Sequence, residues 1–528
     1  MDNLNYYLAI TTGPIYKTLQ KAVTTRELWV ASYFLSKLME IIITHPNLKE
    51  SLLSPSPLPE DIDRNGAGVY PDRAYWLLKS PLTNDQFESI NDNILKELSE
   101  AASSLITPIE LKNYLKLYWV QVSWTEIELE EKSYLFRLNE ILDGIELQEK
   151  WEQSNPISLI EFLIAKDKET GLKRPVYKWR NESNQKGLFP YVLESGIERF
   201  PSIIEICTRE FLEMDNNNWY RENVLEAISS KLSNNDDSKE DEQLMDSIKR
   251  EFNKDETDHF LSRHKYVCII QSDGDGVGSY LKNNVGNDVQ KLKDFSMELS
   301  MFSTEATSKV VNYGGIPVYA GGDDLLFFAP VKDKDGKDTV IHLIESLDKD
   351  FKAKFKSAAV SQSFGLSITY YKYPLAEARE TASNLMFFGA KKQPCKNYID
   401  GTLQKHSGQQ INFGFNLASE YFASFKTLMD DAISEKENFL NSVMFKLDDQ
   451  LSILEKISTD EAKLILFFDN NFNESSHQKY KDFFKKLAKY IKETFDFYIH
   501  EDIDQKISRI YGSLRFIQFL NAKDKDNE

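Results

Sequence analysis

Apolar and polar positions are patterned most clearly between residues 266 and 391. The run Tyr266–Gln271 is short and apolar, as in a buried strand, and it leads into the glycine-rich segment SDGDGVGSYL. Apolar residues at helical spacing follow from Val289 to Val310, and Gly314-Gly315 stands where such a helix would end. The pattern predicts a strand, a glycine-rich loop and a long helix, in that order.

A hairpin is predicted next along the chain. Two apolar runs, Ile316–Ala320 and Leu325–Phe328, flank the four residues Gly321-Gly322-Asp323-Asp324, which have the chemistry of a tight turn. A second helix, a strand and a third helix are predicted at residues 340–351, 364–371 and 375–391. The order β-α-β-β-α-β is that of a ferredoxin-like domain.

The rest of the chain has weaker patterns. Four segments predict a small α/β domain over residues 1–150. They are a strand at Tyr6–Ile10, a helix at Leu28–Ile42, a proline-rich loop at Ser54–Arg73 and an aromatic strand at Tyr114–Trp124. Residues 151–260 look mostly helical and end in a charged polar stretch, and the pattern beyond about residue 410 is helical to the end. The chain is therefore expected to be of the α+β class.

Length and charge narrow the classes of function. A chain of 528 residues is expected to form several domains, each of roughly 100–200 residues. Its formal net charge of −19 argues against a free-standing protein that grips a nucleic-acid backbone over a large area, because such contacts come from lysine and arginine. Contact with RNA would then be local or made by partner proteins. The charge is compatible with an enzyme that handles a metal–nucleotide complex.

Other features bear on compartment and on structural metals. Cys207, Cys268 and Cys395 are far apart and form no CxxC pair, so neither a structural zinc site nor a disulfide framework is expected. The chain has no apolar run of the roughly 18 residues that a membrane helix needs. Its N-terminus lacks the basic start and apolar core of a signal peptide. A cytoplasmic protein is expected.

Three carboxylates are the candidate catalytic residues. Asp273 follows the first strand of the ferredoxin-like segment, and Asp323 and Asp324 lie in the hairpin turn. The first strand and the hairpin are neighbours in this order of elements, so the three side chains are expected to converge. Like charges that close need a counter-cation, and hard oxygen ligands suit Mg²⁺ or Mn²⁺. Two such ions could activate an attacking 3′-hydroxyl and stabilise departing pyrophosphate in an in-line displacement.

Residues around these carboxylates are predicted to bind the nucleotide. They are Gly274, Asp275, Gly276, Gly278, Gly321, Gly322 and Lys391. Glycines let backbone N–H groups approach phosphates, the paired glycines of the hairpin leave room for a base or ribose, and the lysine could reach a triphosphate. Plainer interpretations stay open. Asp-Gly is a common turn pair, the hairpin could be an ordinary one, and Lys391 could be a solvated helix end.

The segments SDGDGVGSYL, YAGGDDLLFF and SNLMFFGAKKQPCKNYI together resemble the palm, or cyclase, domain of the large subunit of type III CRISPR effectors. That domain is related to GGDEF-type cyclases and polymerase palms. The N-terminal TTGPIYKTLQKAVTTRELWVASYFLSKL, with Arg26, Leu28, Trp29 and Ser32, is similar to the start of the Cmr (type III-B) branch. GVYPDRAYW and KHSGQQINF also resemble Cmr-branch segments, and YGSLRFIQFL fits the helical tail.

This resemblance implies an α+β chain with two ferredoxin-like palm domains. The four expected parts are a degenerate palm-like domain at 1–150, a helical domain and charged linker at 151–260, the active palm at 261–408 and a C-terminal helical domain at 409–528. By motif position, Asp273, Asp323 and Asp324 would be metal ligands and Lys391 a phosphate contact. Such subunits work with guide RNA and smaller CRISPR proteins, and target RNA switches on conversion of ATP into an adenylate second messenger, usually cyclic oligoadenylate.

The chain departs from the family's pattern in two respects. None of its seven histidines is followed by aspartate, so the HD nuclease domain of many relatives is not expected, and the zinc-binding cysteine cluster is missing. Some HD-lacking Cmr relatives join AMP from ATP to S-adenosylmethionine, and the motifs do not decide between this product and cyclic oligoadenylate. The other hypotheses are a non-catalytic scaffold subunit and a diguanylate-type cyclase that acts alone as a homodimer.

Overall fold

The computed structural model describes residues 4–22, 24–59, 65–101, 106–125, 133–148, 201–214, 218–225, 227, 238–254, 259–355, 360–431, 437–472 and 479–524. The chain divides into two compact units. The first unit comprises residues 1–239, 272–362 and 374–377, and the second unit comprises residues 240–271, 363–373 and 378–528.

Two β-sheets and many helices make up the described residues. The strands are β1 Asn5–Gly13, β2 Leu52–Ser54, β3 Arg73–Leu78, β4 Lys116–Trp124, β5 Tyr266–Asp275, β6 Ile316–Gly321, β7 Asp324–Pro330, β8 Ser361–Tyr370, β9 Tyr398–Gln404 and β10 Gln410–Asn416. The α-helices are Ile15–Gln20, Thr25–Thr44, Asn84–Ala101, Pro108–Tyr114, Tyr134–Gln148, Ile203–Cys207, Arg209–Met214, Ser238–Phe252, Val277–Tyr280, Val289–Tyr313, Val340–Phe355, Leu375–Asn384, Glu420–Asp430, Glu437–Asp449, Leu451–Ile457, Glu461–Asn471, Lys481–Phe497 and Ile503–Asn521. No helix among these is both long enough and apolar enough to cross a lipid bilayer.

The N-terminal sheet has the strand order β2-β3-β1-β4. Its strand β1 pairs antiparallel with both neighbours, so Leu8 faces Trp76 on one side and Gln121 on the other. Residues 7–12 of β1 are buried, and the helices Thr25–Thr44 and Tyr134–Gln148 pack against this strand. This strand order is that of a ferredoxin-like domain and agrees with the expectation for this segment.

The second sheet has the strand order β10-β9-β8-β5-β7-β6. Its strands β8-β5-β7-β6 have the ferredoxin-like order, so the predicted β-α-β-β-α-β arrangement is confirmed. The helix Val289–Tyr313 begins at Asp288, whose carboxylate accepts the N–H groups of Gln290 and Lys291. It ends at Gly314, as the sequence pattern predicts.

The strands β9 and β10 correct the prediction of a helical pattern from about residue 410 onwards. The sequence of β10 alternates Ile411, Phe413 and Phe415 with other residues, which is the period of a strand. β9 pairs parallel with β8 and antiparallel with β10. The expected domain boundary between residues 408 and 409 therefore falls inside a β-hairpin.

Helical segments occupy much of the remaining chain. Most of the expected helical domain at 151–260 lies outside the described residues, and its described parts include the helices Ile203–Cys207, Arg209–Met214 and Ser238–Phe252. The described chain after β10 is helical, as predicted. The helix Lys481–Phe497 illustrates why these segments fold, since it buries one apolar face that recurs at helical spacing.

Candidate metal–nucleotide site

β5 and the hairpin of β6 and β7 bring the predicted carboxylates together. β5 extends past Asp273, so this residue lies within the strand rather than after it. In the neighbouring hairpin, Gly321 pairs with Asp324, and the turn consists of Gly322 and Asp323. The φ angle of Gly322 is +70°, which favours glycine over residues with a side chain. Local sequence therefore produces a tight turn with one carboxylate at its tip and the next at the start of β7.

The position of Gly274 shows how closely β5 approaches this turn. A Cβ atom on Gly274 would lie 2.7 Å from the Cβ of Asp323 and closer still to its carboxylate oxygen Oδ2. Cβ atoms do not tolerate such contacts, so glycine is required between β5 and the hairpin at this point. The close approach puts the Asp323 side chain directly beside the backbone that follows Asp273.

Asp273 and Asp324 are joined by a hydrogen bond between their carboxyl groups. The pKa of Asp324 is raised well above its usual range, because surrounding protein desolvates the charged form and because Asp323 and Asp273 carry like charges. The Asp324 side chain is nevertheless exposed on its open side. Asp324 therefore lies beside Asp273 at a position that solvent and a ligand can reach.

These carboxylates fit a divalent cation that is bound together with substrate phosphates. Within the described ranges, no group of three or more His, Cys, Asp or Glu side chains is arranged to hold a metal ion by itself. Mg²⁺, however, is usually held by one or two carboxylates plus phosphate and water oxygens. A cation beside Asp273 and Asp324 would offset the like-charge repulsion that raises the pKa of Asp324. The donor set therefore suits Mg²⁺ or Mn²⁺ that arrives with a nucleotide.

Gln362 connects the turn to the sheet, and sequence reasoning missed it. Its side chain is fully buried, and its amide donates to the backbone carbonyl of Asp323 (3.1 Å) and to the hydroxyl of Ser272 (3.4 Å). The backbone N–H of Gln362 donates to the carboxylate of Asp348 (2.9 Å), which pairs with Lys352 (2.7 Å). A continuous chain of contacts therefore runs from a neighbouring helix through Gln362 to the turn that carries the carboxylates.

A segment of the N-terminal domain lies along β6 in the same unit. The N–H of Ala320 donates to the carbonyl of Gly68 (2.8 Å), and the N–H of Gly68 donates to the carbonyl of Val318 (3.4 Å). The hydroxyl of Ser32 also donates to the Val318 carbonyl (3.4 Å). The segment GVYPDRAYW, which resembles a segment of the Cmr branch, therefore borders the hairpin of β6 and β7.

Asp72, in this segment, adds a fourth acidic group near the hairpin. Its charge contributes to the raised pKa of Asp324. The pKa of Tyr319 is also raised, by desolvation first and then by the charges of Asp324 and Asp72. Burial raises the pKa of Asp72 itself, against the opposing effect of Arg73. One side of the site is therefore acidic beyond the three predicted carboxylates.

The other predicted glycines differ in the space around them. A Cβ atom on Gly278 or Gly322 would have no neighbour within 4 Å, so both positions border open space. A Cβ atom on Gly321 would lie 2.8 Å from a ring atom of Tyr319, which fills the space expected there for a base or ribose. Gly276 precedes the short helix that follows β5. The open space that a ligand could occupy therefore lies beside Gly322 and beside Gly278.

Two further predicted nucleotide contacts are Asp275 and Lys391. Asp275 is only 3% exposed and accepts a hydrogen bond from the hydroxyl of Ser361 (3.2 Å), so it lies in the interior of the sheet. Lys391 is in the helical turn Ala390–Lys392, which belongs to the second unit. Its role as a phosphate contact stays a prediction.

One segment of the chain matches a known protein family, and a longer stretch is similar to a curated protein. Residues 266–400 match the family described as Cas10/Cmr2, second palm domain. The CRISPR system Cmr subunit Cmr2 of Pyrococcus furiosus is 21% identical over 359 residues, which cover 61% of this chain and 39% of that protein. This chain thus spans about two-fifths of the length of that curated relative.

Two solved structures share the fold. The type III-B Cmr-beta complex bound to cognate target RNA contains a chain with a TM-score of 0.54 and 14% identity, and the match covers 97% of this chain and 83% of that one. The Csm1–Csm4 cassette in complex with AMPPNP gives a TM-score of 0.50 and 11% identity, covering 98% of this chain and 70% of that one. With its matching second palm domain, this chain is a relative of the large subunit of type III CRISPR complexes.

Proposed function

We propose that this chain is the nucleotidyltransferase subunit of a type III-B CRISPR antiviral complex, and that it works in the cytoplasm with guide RNA and other Cmr proteins. Target RNA would activate it to convert ATP into an adenylate second messenger, with cyclic oligoadenylate as the main candidate product. The observation that carries the proposal is the hydrogen-bonded pair Asp273 and Asp324 beside Asp323 on a palm sheet, with the pKa of Asp324 raised by desolvation and like charge.

The side chains of this cluster divide the work between binding and positioning. Asp273 and Asp324 would hold the divalent cation that arrives with ATP, and Asp323 lies beside them. The bound cation supplies Lewis-acid polarisation of the phosphoryl oxygens. Because Asp324 must lose its proton to become a ligand, its raised pKa favours activity at neutral and higher pH over activity in acid. Gln362 keeps the turn at a constant separation from β5 and so keeps the carboxylates aligned.

The relatives are consistent with this chemistry and with RNA as a partner. The Csm1–Csm4 cassette was solved with AMPPNP, an ATP analogue, and the Cmr-beta complex was solved bound to cognate target RNA. The net charge of −19 supports contact with RNA made largely through partner subunits. We expect the transfer step to form a bond from the attacking hydroxyl oxygen to the α-phosphorus of ATP while the bond to pyrophosphate breaks.

A second candidate product is the adduct of AMP with S-adenosylmethionine. The observation that favours it is Asp72, whose charge acts on Asp324 and Tyr319 from the N-terminal side of the site. A further carboxylate repels a second polyphosphate, whereas it attracts the sulfonium and ammonium groups of S-adenosylmethionine. The carboxylates that hold the metal would act in the same way for both products, and only the acceptor group would differ.

The test uses the complete complex with guide RNA, cognate target RNA, Mg²⁺ or Mn²⁺ and labelled ATP, with and without S-adenosylmethionine. Products are identified by mass spectrometry, and a parallel reaction with GTP checks the base. Cyclic adenylates without S-adenosylmethionine would identify the main candidate, and an AMP adduct that requires it would identify the second. Product from GTP alone would instead favour a diguanylate-type cyclase.

The double variant Asp323→Ala with Asp324→Ala is the matched negative control. We expect it to assemble with its partners and to bind target RNA but to form no nucleotide product, because the cation would lose Asp324 as a ligand and the adjacent charge of Asp323. Undiminished synthesis by this variant would remove the site assignment. Absence of product from the unaltered complex under every condition would leave the scaffold hypothesis in place.

A further inference from the structure

The second unit contains a cavity of about 440 Å³ that lies outside the carboxylate cluster. The start of β5, the end of β8, the loop between β9 and β10 and the helix Ile503–Asn521 form its walls. Two segments singled out in the sequence, KHSGQQINF and YGSLRFIQFL, meet here, and neither has a part in the proposed transfer reaction. The volume lies in the range, roughly 300–1,000 Å³, of pockets for small ligands.

Two cations in the cavity wall lack an acidic partner. Lys265 pairs with Asp524 (2.8 Å), which also pairs with Lys249 (2.8 Å), so the charge of this aspartate is already offset. Lys405 and Arg515 also line the cavity, and within the described ranges neither forms an ion pair with an acidic side chain. Arg515 donates only long hydrogen bonds to the neutral side chains of Asn441 and Gln518 (3.5 Å each). Two unpaired cations facing one cavity, in a chain with a net charge of −19, indicate an anionic ligand.

Aromatic rings form another part of the wall. The rings of Tyr370 and His406 lie 4.5 Å apart between centroids, and both side chains are partly or fully exposed. Behind them, the buried ring of Tyr266 contacts Tyr370 (5.7 Å) and Phe519 (4.9 Å). The Tyr266 hydroxyl also accepts the backbone N–H of His406 (3.3 Å), which holds the loop against β5. The planes of these two rings are inclined by 48°, so the cavity offers two separate aromatic faces beside its two cations.

We infer that this cavity binds a nucleoside phosphate, with its phosphate on Lys405 and Arg515 and its base on the rings of Tyr370 and His406. Cations that follow a phosphate and aromatic rings that stack on a base are the combination by which proteins bind single nucleotides of a strand. An acidic peptide would satisfy the cations but would leave the rings without a partner. The nucleoside phosphate is either a free nucleotide or the terminal nucleotide of an RNA strand.

Calorimetric titration of the full chain in EDTA tests this inference, because removal of divalent ions weakens nucleotide binding at the carboxylates. The probes are 5′-AMP, adenosine and inorganic phosphate. We expect 5′-AMP to bind, adenosine to bind at least about tenfold more weakly, and millimolar phosphate to compete, since a charged hydrogen bond accounts for about a factor of ten or more. These comparisons need no variant and therefore do not depend on the folding of one.

Charge variants then locate the site. Lys405→Gln with Arg515→Gln should weaken 5′-AMP binding by about tenfold or more, whereas the exchange Lys405→Arg with Arg515→Lys should retain most of the affinity because the charge is kept. The matched control is Lys463→Gln with Lys485→Gln, which removes the same charge from exposed positions of the same unit. Its affinity for 5′-AMP should equal that of the unaltered chain.

Two RNA octamers, one with a 5′-phosphate and one with a 5′-hydroxyl, distinguish the sources. Phosphorylated RNA that binds at least about tenfold more tightly than 5′-AMP, with loss in the glutamine variant, would identify an RNA end. Equal or weaker binding of that RNA would identify a free nucleotide. The inference is overturned if neither 5′-AMP nor the phosphorylated RNA binds at millimolar concentration, if the glutamine variant binds as well as the unaltered chain, or if tetraglutamate competes as effectively as 5′-AMP.

Discussion

Replacement of Gln362 by leucine tests how the carboxylates are positioned without changing the carboxylates themselves. The side chain is fully buried, and its amide donates to the Asp323 carbonyl and the Ser272 hydroxyl, so leucine leaves one partly buried and one buried acceptor without this donor. An unsatisfied buried polar group costs about 1–3 kcal/mol, and we expect a loss of that size in the free energy of unfolding. Misplacement of a reacting group by about 1 Å can lower the rate about a hundredfold, and product formation should fall toward that limit.

The assay for Gln362→Leu combines denaturant unfolding with the rate of product formation in the assembled complex. Gln450→Leu is the control, because the Gln450 amide donates to Asn471 (3.1 Å) between two helices of the second unit. It should lose comparable stability and keep its activity. If Gln362→Leu retained full activity despite the same loss of stability, the role of Gln362 in holding the turn would be refuted.

Three further changes test other parts of the molecule. Gly274→Ala should displace the Asp323 side chain and lower product formation about tenfold. Gly144→Ala is the control and should leave the rate unchanged, because a Cβ atom there has no neighbour within 4 Å. Equal rates for the two variants would contradict the close approach of β5 to the turn. Asp72→Asn should lower the yield of the S-adenosylmethionine adduct about tenfold relative to cyclic oligoadenylate, and an unchanged product ratio by mass spectrometry would exclude its role. Burial raises the pKa of Asp400 to about 6, so the folded state keeps this proton to higher pH than the unfolded chain does. The free energy of unfolding should therefore fall by about 3 kcal/mol between about pH 4 and 7, and Asp400→Asn should remove that part of the pH dependence in denaturant titrations.

The carboxylate cluster could be predicted from sequence because its signals are local. Gly322 and Asp323 lie between two apolar runs, and this pattern alone indicates a hairpin with an acidic tip. The ferredoxin-like order of elements then makes the hairpin a neighbour of the strand that carries Asp273. Each step used a short-range pattern and one topological rule, and the structure agrees with both.

The supporting residues could not be predicted because their roles depend on long-range contacts. Gln362 is 39 residues from its acceptor Asp323, and no periodic pattern marks it as a donor to a turn. Asp72 acts on the hairpin from a different domain. Asp275, which is predicted as a nucleotide contact, is buried and accepts a hydrogen bond from Ser361, 86 residues away. Composition alone does not say which face of a strand a later segment will cover.

The hydrogen bonds between Gly68 and β6 also affect how molecules of this protein associate with one another. β6 is the last strand in the order of its sheet, so among the described residues no further strand of the sheet lies along one side of its backbone. Gly68 bonds to Ala320 and Val318 on that strand, and Pro317 has no N–H to offer a neighbour. Uncovered strand edges promote pairing between molecules and lead to aggregation. By covering the edge of β6, the Gly68 segment of the N-terminal domain therefore disfavours edge-to-edge pairing of this sheet with a second molecule.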